Sequence, residues 1–244
     1  MATSSYDHIK VIAFDADDTL WVNETYFREI EDKFAQLLVQ YETPNNIQQE
    51  LFKLELQRLP IYGYGIKGFI LCLLECAIQI SNQTVSPQTM QKILDFGPEM
   101  LNKPIELLDG VEEVLHTLSE QKDSETGAAK YRLIVITKGD LLDQERKLEK
   151  SDLSKYFHHI EVVSEKGAED YRKLLRRLDM RPDEFLMIGN SLKSDILPLL
   201  EIGASAIHIP FHTTWAHEQV HEDATKNKKF PTLNSMKEVL PLLL

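Results

Sequence analysis

Residues 11–20 read VIAFDADDTL, and this stretch constrains the fold more than any other. Four apolar residues in a row, Val11 to Phe14, suit a strand buried on both faces at the centre of a sheet. Asp15 then falls at the C-terminal lip of that strand, where open α/β sheets place their ligand sites. Asp17 follows two positions later. Neighbouring carboxylates raise one another's pKa unless a cation separates them. One reading places one carboxylate on a metal ion and leaves the second to trade a proton. The other is a solvated acidic loop after a strand.

Composition narrows the classes. The 244 residues are 43% hydrophobic and 27% charged, which is globular rather than disordered. A net charge of −12 argues against a nucleic-acid or anionic-membrane surface. The opening MATSSYDHIK has neither the basic start nor the apolar core of a signal peptide. The apolar stretch GFILCLLECAIQI is broken by Glu75 and does not approach a membrane span. Cys72 and Cys76 lie one helical turn apart, a poor geometry for a disulfide, so two reduced core thiols are expected. The expectation is a soluble cytoplasmic protein.

After Leu20 the periodicity changes. Apolar residues at Phe27, Ile30, Phe34, Leu37, Leu38 and Tyr41 recur at helical spacing over 23–41. A second helix is expected over 45–59, ended by Pro60. The glycines of IYGYGIKG call for a tight turn. Helices over 66–80 and from Pro87 to about Met100 complete a helical block of roughly 85 residues, with no convincing strand. From Leu108 onward helices alternate with strands expected at 131–136, 159–163, 185–188 and 204–209. Such alternation implies parallel pairing and right-handed crossovers. The predicted architecture is α/β: a doubly wound, Rossmann-like parallel-sheet core made of 1–20 and 106–244, carrying residues 21–105 as an inserted all-helical cap.

Three further segments follow buried strands, which should bring them to the same lip as Asp15. Thr137, then Lys138 and Gly139, then a helix start, offer a hydroxyl, backbone N–H groups and a positive helix end, together an anion cradle. A plain threonine N-cap is the alternative. Lys166 follows the third strand, where a solvated lysine is the default. Asn190 and Asp195 flank a turn into the next helix and supply oxygen ligands opposite Asp15, or else simply a capped turn.

In their order these segments resemble the haloacid dehalogenase (HAD) superfamily. The DxDxT motif stands as Asp15-Ala16-Asp17-Asp18-Thr19, the second-strand hydroxyl as Thr137, the motif-three lysine as Lys166, and the fourth motif as Gly189-Asn190-Ser191 with Asp195. The resemblance spans essentially the whole chain, the helical insert matching the family's C1 cap. It implies that Asp15 is the nucleophile and Asp17 the general acid and base of a phosphomonoester hydrolase. It further implies Mg²⁺ on Asp15, Asp17, Asn190 and Asp195, with phosphate on Thr137, Lys138, Gly139 and Lys166. The implied partner is a small phosphorylated metabolite.

The chain departs from the family pattern twice. Asn190 stands where many relatives have aspartate, replacing a charged ligand by a neutral amide oxygen. Gly167 follows the lysine where a proline is common, which makes Lys173 the fallback for the motif-three role. In the family the cap reads the leaving group, and Tyr62, Tyr64 and Lys67 around the glycine turn are the candidates for that surface; a helix corner with inward-packed aromatics is the alternative. His208, His212, His217 and His221 surround Trp215 after the last strand. His217 and His221 are spaced as a metal pair would be, but with no third ligand nearby a surface loop with a packed tryptophan is expected. A phosphomutase, a haloacid dehalogenase and a catalytically lapsed binding protein are the rival functions, and Asp17 disfavours the dehalogenase, which needs no acid there.

Overall fold

The computed structural model describes residues 6–244. Strand β1 (Val11–Phe14) sits at the middle of a five-stranded sheet with β2 (Arg132–Lys138), β3 (Ile160–Val163), β4 (Phe185–Gly189) and β5 (Ser205–His208). The strand order is β3-β2-β1-β4-β5. β1 runs parallel to both β2 and β4, and β4 parallel to β5. Phe14 pairs with Val135 on one side and Ile188 on the other, so every residue of β1 is covered by strands and is buried.

Alternate β1 side chains leave on opposite faces. Ile12 and Phe14 pack with Val114, Leu115 and Leu118 of helix α5 (Val111–Ser119). Val11 and Ala13 pack with Tyr171, Leu174 and Leu175 of α7 (Ala168–Arg177) and with Leu199 of α8 (Leu197–Glu201). Helices on both faces of a parallel sheet give the doubly wound class expected from the alternation.

The chain divides into two compact units. One comprises Met1–Val22, Ile105–Thr137 and Glu145–Leu244 and contains the sheet. The other comprises Asn23–Pro104 together with Lys138–Gln144. It is built on α1 (Glu24–Leu37), α2 (Pro44–Tyr62), α3 (Ile66–Ile80) and α4 (Pro87–Leu101). Its own core joins Ile30 and Phe34 of α1, Leu51 of α2, Leu73 and Cys76 of α3 and Ile93 of α4. Both cysteines are free and buried, and burial pushes their thiols up to about 12. Among the described residues, no helix is long and apolar enough to cross a membrane.

Two local expectations need correction. Pro60 does not end α2, which continues to Tyr62. Proline removes only its own donor, and in a last turn the following residues can still bond backward. Gly63 N does so to Leu59 O at 2.9 Å, and its φ of +70° then ends the helix. The helix expected from Asp195 starts differently, as a π turn at Leu192–Ile196 running into the short α8. Ser191 caps it, its Oγ accepting Ser194 N–H at 3.0 Å.

Candidate active site

Asp15 lies one residue beyond β1 and is anchored by its N–H to Ile188 O at 2.9 Å. The chain then turns sharply. Leu20 N–H returns to Ala16 O at 2.8 Å, and Asp18 N–H meets Trp21 O at 2.8 Å with Asp18 at φ +62°. An aspartate tolerates that left-handed conformation better than most residues. The turn brings Thr19 Oγ1 to 3.4 Å from Asp15 Oδ2 and to 3.2 Å from Asn190 Oδ1. One hydroxyl thus bridges the segments after β1 and β4.

Lys166, from the segment after β3, is the hub of the site. Its buried ammonium donates to Asp15 Oδ1 and, at 2.8 Å, to Asp195 Oδ1. The other Asp195 oxygen accepts Ser191 N–H at 3.0 Å. Gly189 permits this, since a Cβ there would lie 2.4 Å from Asp195 Oδ2. Burial works against the Lys166 ammonium, but Asp15 and Asp195 outweigh it and raise its pKa. Asp15 behaves oppositely. Burial, with Asp195 adding to it, overcomes the lysine and pushes its carboxyl up to about 7. Lys173, the fallback lysine, is exposed on α7. Gly167 also gains a reason: its N–H donates to Asp170 Oδ2 at 3.1 Å, a bond proline cannot make.

Asp17 has separate partners. Its Oδ1 accepts Trp21 Nε1–H at 2.8 Å and Lys147 Nζ at 2.9 Å. Trp21 is fully buried and Lys147 comes from α6 (Leu141–Lys150). Neither had a signal in the sequence. Lys147 looks like any other charge in LLDQERKLEK, and the four-residue spacing of Asp17 and Trp21 belongs to a turn rather than a helix.

The phosphate candidates are divided. Thr137 is buried near the end of β2, on the strand beside Asp15 and one step beyond its level. It is not the cap of α6, because Asp140 Oδ1 accepts Asp143 N–H at 3.1 Å in that role. Lys138 and Gly139 cluster with the helical unit. Lys138 Nζ lies 4.2 Å from the Tyr64 ring centroid. Gly139 has φ +123°, and a Cβ there would come within 3.0 Å of Gln144 Nε2, which donates to Lys138 O at 2.9 Å. Within that unit Tyr62 donates its hydroxyl to Glu75, and Lys67 reaches the Asp140 oxygens at 2.9 and 3.0 Å.

A hard divalent cation takes oxygen ligands and, as Mg²⁺, usually keeps several waters alongside one or two carboxylates. Asp15 Oδ2 and Asn190 Oδ1, joined through Thr19, form such a pair. Asp195 spends both oxygens on Lys166 and Ser191, so it acts from behind the pair. No group of three or more His, Cys, Asp or Glu able to hold a metal occurs among the described residues. The donor set therefore fits an ion held by one carboxylate, one amide, a backbone carbonyl and water, with less protein charge than an all-carboxylate site. His217, considered as a metal ligand above, has its Nε2 3.1 Å from Lys193 Nζ and its ring 4.9 Å from Trp215.

A buried carboxylate at the C-terminal edge of a parallel sheet, bound to a lysine shared with a second carboxylate, stands where open α/β folds place their ligand sites. The chain belongs to the haloacid dehalogenase-like hydrolase family, whose model matches residues 9–203. It is 37% identical to a haloacid dehalogenase-like hydrolase from Xanthomonas campestris, with 89% of this chain and 88% of that one covered and a TM-score of 0.76. A curated relative, glyceraldehyde 3-phosphate phosphatase from Methanothermobacter thermautotrophicus, is 23% identical over 95% of this chain and all of its own. The fold also matches a HAD hydrolase from Bacillus subtilis solved bound to magnesium, at 15% identity, 96% and 98% coverage and a TM-score of 0.61.

Proposed function

We propose that this hydrolase is a Mg²⁺-dependent phosphatase acting on small organic phosphomonoesters, with the phosphoryl group carried transiently on Asp15. The observation that carries the reading is the buried Asp15 carboxylate held by Lys166, with a second carboxylate two residues on held by its own donors. The curated phosphatase relative supports the reaction class, and the magnesium-bound relative supports the ion. The two buried free thiols support a reducing, cytoplasmic setting.

In the first step an Asp15 oxygen attacks phosphorus, the bond from phosphorus to the ester oxygen breaks, and Asp17 gives that oxygen a proton. Water then attacks the phosphorus, Asp17 takes a proton from it, and the Asp15 carboxylate leaves, releasing inorganic phosphate. Enzymes accelerate such hydrolyses by up to ~10²¹, of which acid–base help supplies about 10²–10⁴. Positioning and positive charge around the phosphoryl oxygens must supply the rest. Lys166 brings an ammonium to the attacking carboxylate. The Thr137 hydroxyl is assigned to a phosphoryl oxygen. Asp15, Asn190 and the Asp17 carbonyl would hold Mg²⁺, which would neutralise charge on the phosphoryl group. Asp195 keeps Lys166 in place. Asp17 weighs against dehalogenation, which needs no acid at that position.

The test is phosphate release from a panel of small phosphomonoesters, with Mg²⁺ and with chelator, for wild type and Asp15→Asn. Mg²⁺-dependent release by wild type, reduced at least about 10³-fold in the variant, is expected. Equal turnover by the variant would remove Asp15 as nucleophile. Isomerised ester without free phosphate would make the protein a mutase.

A further inference from the structure

The histidine-rich segment after β5 has so far had no role, yet it grips the Asn190–Asp195 loop at several points. His208, at the end of β5, has Nε2 at 3.0 Å from Asn190 O. A carbonyl oxygen only accepts, so Nε2 carries the proton in this bond. Ser191 and Ser194 both donate their hydroxyls to one oxygen of Glu218, Ser194 at 2.7 Å. Lys193 Nζ donates to His217 O at 2.7 Å. Residues 190, 191, 193 and 194 are each tied to the segment 208–218.

The geometry points to Glu218 as a positioning residue for this loop, holding Asn190 where its amide oxygen serves the divalent cation. The inference rests on the reading that Asn190 is a ligand. The loop is a π turn, an irregular element that its own backbone bonds specify weakly. Ser191 is its pivot. The same residue caps the turn through Oγ, donates its N–H to Asp195 Oδ2 and donates its hydroxyl to Glu218. Moving Ser191 would therefore move Asn190 on one side and Asp195, with Lys166 behind it, on the other. A neutral amide attracts a cation less than a carboxylate does, so affinity here depends more on the ligand being in place before the ion arrives.

The experiment is Mn²⁺ binding followed by electron paramagnetic resonance, which needs no turnover. Glu218→Ala should bind Mn²⁺ about 10-fold more weakly than wild type, the scale of lost support behind a metal ligand. Glu218→Gln should fall between them, since its amide oxygen still accepts the serine hydroxyls without the charge. Ser194→Ala, a milder change should Glu218→Ala not fold, should weaken binding on the order of 3-fold. Urea midpoints in chelator separate stability from affinity. A lowered midpoint with wild-type Mn²⁺ affinity would make Glu218 merely structural and overturn the inference. If Asn190→Ala weakens binding while Glu218→Ala and Ser194→Ala do not, the inference falls and the metal reading stands. If Asn190→Ala binds as wild type does, the metal reading falls and takes the inference with it.

Discussion

Two carboxylates in this molecule each meet a basic side chain, and they end in opposite states. Glu75 of α3 accepts the Tyr62 hydroxyl and, at 2.8 Å, Arg58 Nε, with a quarter of its side chain exposed. The Tyr62 hydrogen bond above all, helped by Arg58, holds it below its usual value. Asp15 accepts Lys166 and Thr19 yet is pushed up to about 7, because burial dominates and its lysine is shared with Asp195. A cation nearby is therefore not enough to make a salt bridge restful. Where water still reaches the carboxylate, its hydrogen-bond donors, Tyr62 first, set its state. Where water is gone and one ammonium serves two carboxylates, burial outweighs the ammonium and keeps the carboxyl's pKa raised.

Removing the shared cation should break this contrast most severely. Lys166→Met would leave Asp15 and Asp195 buried without their ammonium, and breaking a buried ion pair from one side costs about 3–5 kcal/mol. Urea unfolding at pH 7 should show a loss on that scale together with loss of phosphate release. Arg58→Met in the half-buried cluster should shift the midpoint far less. Equal shifts would mean that burial does not distinguish the two clusters.

The next effect concerns pH. Asp15 has its folded pKa raised above the unfolded value near 4, so its contribution to stability is fully present below pH 4 and is lost as pH rises towards 7. Asp15→Asn removes the titration and the excess negative charge. In chelator, wild type should lose about 2 kcal/mol relative to Asp15→Asn between pH 5 and 7. Parallel pH profiles for the two proteins would show that Asp15 is not strained by its burial.

Asp17 is as exposed as Glu75, with a quarter of its side chain open to water, yet it stands two residues from Asp15. Lys147 and Trp21 both aim at its Oδ1 and so orient the carboxylate. Lys147→Met should lower kcat/KM for alkyl phosphates by about 10-fold, a fraction of a full acid–base contribution. Aryl phosphates, whose leaving oxygen needs little help from a proton, should be affected less. A uniform loss across leaving groups would separate Lys147 from the proton transfer assigned to Asp17.

Much of the fold could be read because buried parallel strands are apolar on both faces. Val11 to Phe14 and Phe185 to Ile188 announce themselves in this way, and Asp15 is visible as the first polar residue past such a run. Lys166 was legible only from its place in the order of segments, since one lysine carries little signal. What stayed hidden depends on tertiary return. Lys147 sits in a helix of charges, and only packing sets it against Asp17. Glu218 reaches Ser191 across 27 residues of chain. Pro60 misled because the rule concerns helix interiors, and it stands in a last turn. The Asn190–Asp195 segment read as a turn into a helix beginning at Asp195 because a π turn has no simple periodicity.

The half-buried Glu75 cluster gives the smallest and most discriminating test. The glycine-turn residues were expected at a substrate surface, yet the Tyr62 hydroxyl is committed to Glu75 on the helix that follows. Tyr62→Phe keeps the ring and removes only that bond. KM for the best phosphomonoester should stay within about twofold of wild type, as for most substitutions away from a site. The Glu75 carboxyl should move upward in an NMR titration, because the Tyr62 hydroxyl is the largest influence holding it down. A tenfold rise in KM with Glu75 unmoved would assign the hydroxyl to the substrate instead. The Glu75 cluster would then cease to be the quiet counterpart of Asp15.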